Sequence, residues 1–307
     1  MDWGRRLRRT FLNPLVVKDG LSRVRSWRAP AVIALYLGLL GLFASLVFAA
    51  QLGSGPRGWG FAQVGSVVFT TLAVTQLALA CLFAPGIAAG AISGERERQT
   101  LDVLLVSGVT PLSLVWGKLV ASIAFILLLV AAALPLFATV FLFGGIDAEQ
   151  FVVSQLVTVT TALAVGAVSL FLSAVFRRTL ASTVAAYGMA FGCTVGTWIV
   201  GSALTQIAMS QRAMTRMPSP DVHPLLFVNP INAMLTVLQS QGGAAMPLGR
   251  MVQLVFMAGG PAMAAGPKVE PWQATVVFEL ALAALSVFGA VQMLRGRRTT
   301  WLHRNLD

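Results

Sequence analysis

The chain has 307 residues, of which 57% are hydrophobic and 11% charged, with a formal net charge of +11. Soluble domains carry about a quarter charged residues, so one water-soluble core cannot hide this much apolar surface. The composition excludes an ordinary soluble domain and predicts an all-α integral membrane protein with lipid as part of its solvent.

Residues 1–29 read as a cytoplasmic basic tail followed by an interfacial helix. Arg5, Arg6, Arg8 and Arg9 make the tail basic, and Asn13-Pro14 supplies a cap with proline at the first helical position. Val17, Leu21, Val24 and Trp27 then recur at spacings of four and three, with Lys18, Ser22 and Arg25 on another face. Such a basic amphipathic helix suits the surface of an anionic leaflet. The first apolar run starts near Pro30 and is too long for the core of a cleavable leader, so none is expected.

Six segments have the roughly 20 apolar residues that a bilayer requires: 30–52, 61–84, 112–143, 151–176, 180–207 and 274–294. Together, 30–294 form one six-span transmembrane domain. Pro85-Gly86 is expected to end the second span, Thr110-Pro111 to start the third by a cap and a proline, and Pro135 to kink it. Gly144–Gln150 reads as a tight turn with Asp147 and Glu149, and Arg177-Arg178 separates the fourth and fifth spans. Residues 208–273 contain apolar runs, Leu225–Leu238 and Met251–Met263, interrupted by prolines. They predict an external segment of short helices that dip into the membrane surface, with two extra spans as the alternative. Residues 295–307 are a second basic tail.

Placing both termini in the cytoplasm leaves Arg57, Arg212, Arg216, Arg250 and Lys268 outside and the other 17 of the 22 Lys and Arg inside. This is the positive-inside pattern. The positive charge therefore reads as a signal of topology and of lipid headgroups, with nucleic acid excluded as a partner. Trp3, Trp27, Trp59, Trp272 and Trp301 lie near span ends or in the tails, as aromatic belts do. Cys81 and Cys193 fall inside apolar runs without metal-ligand spacing and read as small hydrophobes.

A charged island, Ser93–Asp102, stands between the second and third spans. As one helix it puts Glu95, Arg98 and Asp102 on one face, where Arg98 can pair with either acid, and turns Leu101, Leu104 and Leu105 the other way. Ser93 is the expected N-cap, with Glu95 and Glu97 near the positive end of the helix dipole. Such a helix is too short and too charged to cross a bilayer. It is either a surface helix offered to a partner in the water or a solvated helix joining two spans.

These residues resemble the membrane-spanning permease subunits of ATP-binding-cassette transporters of the type-2 exporter class. The resemblance rests on Gly94-Glu95-Arg96-Glu97, Thr100-Leu101-Asp102-Val103-Leu104-Leu105, Ser107, Pro111 and Gly117-Lys118, with support from Asn13-Pro14 and Lys18-Asp19. It covers nearly the whole chain. Asp19 stands where glutamate is commoner, Arg98-Gln99 where the family often has a small residue and glycine, and 208–273 is longer than usual. The resemblance implies that Gly94–Leu105 is a coupling helix, including Arg98 and Thr100, with Asn13–Arg28 an interfacial helix beside it. It also implies two copies of a separate ATPase that carries ATP and Mg, a second permease chain, identical or different, and a bacterial cytoplasmic membrane. No cofactor, metal or catalytic residue is assigned to this chain. In particular, Gly117-Lys118 is followed by Leu119, with no glycine five residues before it, so no phosphate-binding loop is formed.

Three other features carry expectations. Gly188, Gly192 and Gly196 form a small-residue stripe, either a dimer seam or a contact with a neighbouring span. Glu279 is the one acid inside a span, expected some 7 to 8 Å deep and paired with Lys268 or Arg250. Gln76, Gln155 and Gln206 either line a polar path or bond between helices. Two other functions are also weighed. An intramembrane protease lacks support, since His223 and His303 both lie outside the spans. A membrane scaffold or sensor that moves nothing remains compatible with the residues.

Overall fold

The computed structural model describes residues 27–53, 61–101, 104, 110–215, 224–239 and 270–304. Its elements are α1 (Arg28–Gly53), α2 (Phe61–Ala88), α3 (Ser93–Glu97), α4 (Pro111–Phe141), α5 (Ala148–Val175) and α6 (Thr179–Phe191). A π-helical turn (Gly192–Gly196) leads into α7 (Thr197–Thr215), followed by α8 (Pro224–Phe227), α9 (Pro230–Gln239) and α10 (Pro271–Arg304). Among the described residues the fold is all-α, with six candidate membrane-crossing segments in α1, α2, α4, α5, the continuous α6–π–α7 rod, and α10.

Local chemistry accounts for several boundaries. The Thr110 hydroxyl accepts from the Ser113 N–H at 3.3 Å, and Pro111 opens α4. Pro135 lies within the continuous α4. The expected stop at Pro85-Gly86 is absent: α2 runs through Pro85 to Ala88, and the Ala89 N–H still reaches the Pro85 carbonyl at 2.8 Å. A proline deletes one rung of the ladder, and packed neighbours can hold the helix across the gap. Gly144 and Gly145 turn the chain into α5 with φ of 73° and 80°, values that side-chain-bearing residues rarely adopt.

The centre of the bundle is α5, which packs against α2, α4, α6, α9 and α10. It is also the most polar of the buried helices. Its Thr158 returns its hydroxyl to the carbonyl four residues back, and so does Ser169. Hydroxyls satisfied within their own helix can be enclosed without a dehydration penalty.

Among the described residues, the two larger of three apolar clusters stack along the bundle. One, with Tyr36, Phe69, Phe137 and Met234, lies toward the Gly144 turn. The other, with Ile92, Leu114, Leu170 and Leu294, lies under α3. Leu35, Leu46, Leu285 and Phe288 face outward, as side chains do when lipid is the solvent.

Within 208–273, α7 continues to Thr215, and α8 and α9 are short helices. α9 buries Ala233, Met234 and Val237 against α2, α5 and α10. Met251–Met263 lies outside the described residues, as do Asn13, Pro14, Lys18 and Asp19 of the expected interfacial helix.

Candidate functional site

The charged island folds into a short helix that ties three long helices together at one end of the bundle. It enters through the turn Ala89–Ile92. The expected cap, Ser93, does not cap α3 with its own side chain, because its hydroxyl donates to the Ala89 carbonyl. The cap comes instead from α5: the Ser173 hydroxyl accepts from the N–H groups of Ile92 and Ser93 at 3.0 and 2.9 Å. The Ser182 hydroxyl of α6 donates to the Ala89 carbonyl at 2.8 Å.

Each charged residue of α3 then reaches a different neighbour. Glu95 pairs with Lys118 of α4 at 2.5 Å. Arg96 donates to the carbonyls of Phe176 and Ala174 at 2.7 and 2.9 Å. These are orphan acceptors at the C-terminal end of α5, where the helix dipole also favours a cation. Glu97 accepts from the N–H and hydroxyl of Thr179 at 2.8 and 2.7 Å. It thereby caps the first turn of α6, whose own cap position, Arg178, makes no side-chain cap bond. Gly94 lies close to Thr179: a Cβ there would sit 3.6 Å from its methyl group.

This geometry corrects the expectation of one continuous amphipathic helix. α3 ends at Glu97, and Gln99 takes a φ of 58°. That left-handed residue stands where the resembling family often has glycine, and it breaks the periodicity that would have set Arg98 beside Glu95. Glu95 takes Lys118 instead, and Thr100 donates its hydroxyl to the Glu95 carbonyl at 3.1 Å. Arg98, Gln99 and Thr100 are exposed and form the tip. Leu101 faces away from the charges as expected, but it is 3% exposed in the chain's own core, and Leu104 packs against that core too. Neither is a free apolar face for another protein. Asp102 and Leu105 lie outside the described residues.

Among the three glutamines, Gln76 and Gln155 exchange two amide hydrogen bonds, each 3.0 Å, between α2 and α5. They bond between helices. Gly188 and Gly192 are exposed, with nothing within 4 Å of a Cβ built on either, while at Gly196 the nearest atom is the Phe191 carbonyl oxygen of the same rod. No neighbouring span among the described residues closes on the stripe. Glu279 is 4% exposed in α10 and accepts from the Thr161 hydroxyl of α5 at 2.7 Å. Lys268 and Arg250, its expected partners, lie outside the described residues.

Two positions escaped the sequence reading. Ser173 carries no local signal, since its partners lie about 80 residues away. Asn229 does carry one: Asn229-Pro230 repeats the cap-and-proline pairing of Asn13-Pro14. Its side-chain Oδ1 accepts from Ile231 N–H at 2.9 Å to start α9, and its side-chain amide N–H donates to the Thr194 carbonyl of the π turn at 2.6 Å.

No curated protein matches the chain. The model of the ABC-2 family transporter proteins matches residues 15–293, a stretch that contains α3, five of the six candidate spans and all but the last two residues of the sixth. With that match over most of its length, the chain belongs to the ABC-2 family of transporter proteins and is a multi-pass membrane permease.

Proposed function

We propose that the chain is the transmembrane subunit of an ATP-driven exporter in a bacterial cytoplasmic membrane, with both termini cytoplasmic. It forms the translocation path with a second permease chain and is driven by two copies of a separate ATPase that carries the ATP and Mg. The observation that carries this reading is the attachment of α3. Its three consecutive charged residues hold Lys118 in the third turn of α4 and the facing ends of α5 and α6, while Arg98–Thr100 are an exposed tip. A force on that tip is passed to three spans at once, because buried and charge-assisted contacts resist local bending. Closure of the ATPase pair against the tip would tilt these helices together and open the path between permease halves. The exposed face of Gly188 and Gly192, open within this chain, supports a seam with the second permease.

The attachment also selects the test. Reversing Glu95 or Glu97 would break the permease's own fold, so docking is probed at the tip. Arg98→Glu with Gln99→Glu should leave membrane levels normal, while ATPase retained per permease in detergent falls several-fold and substrate-dependent ATP hydrolysis falls with it. Arg57→Glu, between α1 and α2 in the sequence, is the control and should leave docking intact. Full retention and hydrolysis in the tip variant would overturn the coupling role.

A further inference from the structure

We propose that the pocket between α5, α6 with its π turn, the Val228–Pro230 corner and α10 binds an amphiphilic cation, whose single amine or onium head is held by Glu279. The pocket is a half-open cleft, and its empty space of about 450 Å³ counts the open mouth as well as the enclosed part. Its wall is apolar except for Glu279, Thr161, Thr194 and the Cys193 thiol, and no Lys, Arg or His lines it among the described residues. Short side chains, Ala164 and Ala186, leave the room, while Met189 and Phe278 give it a soft and an aromatic wall. Both wall types favour a bulky cation, by polarisable contact and by attraction to the ring face.

The carboxylate supplies the specificity. Oε1 of Glu279 accepts from Thr161, but Oε2 is buried and has no hydrogen-bond partner among the described residues. A buried acid with one unsatisfied oxygen is costly in an apolar surround. An occupant that brings a positive charge offsets that cost, and the attraction is strong where water is excluded. An anion of the same shape meets only repulsion there.

One wall is a device of its own. The π turn Gly192–Gly196 widens the helix at Cys193 and Thr194, both of which line the space. Asn229 pins this turn to the start of α9. π turns recur at functional sites because they displace backbone groups from the regular ladder. The identification of the cation as cargo rests on the transport reading, whereas the binding site itself does not.

The test uses the full-length permease in detergent, without an ATPase, and two lipophilic ions of matched shape, tetraphenylphosphonium and tetraphenylborate. Equilibrium dialysis should give saturable binding of the phosphonium and none of the borate at the same site. Glu279→Gln keeps the volume and an acceptor for Thr161, and should weaken phosphonium binding about tenfold or more. Ala186→Phe, which fills the space while leaving Glu279 in place, should also abolish binding. In a Cys81→Ala background, phosphonium should slow maleimide labelling of Cys193, and Glu279→Gln should remove that protection. Equal binding by wild type and Glu279→Gln, equal binding of the two ions, or undiminished binding by Ala186→Phe would each overturn the site. Phosphonium binding lost while ATPase copurification persists would overturn this inference alone. Copurification lost while binding persists would overturn only the coupling.

Discussion

Arg96 bridges two carbonyls at the end of α5 with two different nitrogens of its guanidinium. A planar fork can do this, whereas a lysine ammonium acts as a point charge and cannot span both acceptors in the same way. Hydrogen bonds to a charged group contribute roughly 1.5–3 kcal/mol each. Because Arg96 is only half-buried, the two bonds are worth less than their full sum, so Arg96→Met should destabilise the permease by about 2–4 kcal/mol, and Arg96→Lys should recover only part of it. Thermal unfolding in detergent would read the order wild type, Lys, Met. An Arg96→Met variant as stable as wild type would mean that the α5 terminus is satisfied without it. Both substitutions leave the exposed tip unchanged, so a loss of stability that leaves ATPase retention per folded permease unaltered would separate the staple from docking.

At the scale of elements, the tightest approach is between the start of α2 and the turn into α5. A Cβ on Gly65 would lie 2.3 Å from the Gly144 carbonyl oxygen, a clash with backbone that no rotamer change relieves. Gly65→Ala should cost about 1–3 kcal/mol through forced separation of α2 from that turn. Gly38 in α1 is the internal comparison, since nothing lies within 4 Å of a Cβ built there. Gly38→Ala should be neutral or stabilising by up to about 1 kcal/mol, because alanine is the better helix former. Equal unfolding midpoints for the two variants would overturn the close approach.

Across the whole molecule, α3 and the Arg177-Arg178 corner share one end of the bundle, through the bonds of Glu97 and Arg96. α5 runs from Ala148 at one end to Val175 at this one, and its 28 residues give a length of about 42 Å. That exceeds the roughly 30 Å hydrocarbon thickness, so Glu149 and Arg178 are expected on opposite sides of the membrane. With most Lys and Arg expected on the α3 side, the positive-inside rule predicts that this side is cytoplasmic. In a background lacking Cys81 and Cys193, Glu149→Cys should react with an impermeant maleimide in intact cells. Arg178→Cys should react only after permeabilisation. Labelling of both from the same side would overturn the topology.

Composition and hydropathy by themselves determined the all-α membrane fold and its six crossings, because a bilayer leaves helices almost no alternative and their minimum length is set by its thickness. Thr110-Pro111 was likewise legible, since a cap and a first-turn proline act within four residues. The island's charge was legible too, but its use was not. Periodicity placed Leu101 opposite the acids without saying that the chain's own core would bury it. It also carried a helix through Gln99, whose left-handed φ breaks it. The partners of Ser93, Arg96 and Glu97 lie 78 to 82 residues away. The groups that Arg96 and Glu97 satisfy, the free carbonyls of α5 and the free N–H of α6, exist in every helix end. Only the packing of α5 against α6 brought those ends together beside α3, and that placement was for the tertiary structure to decide.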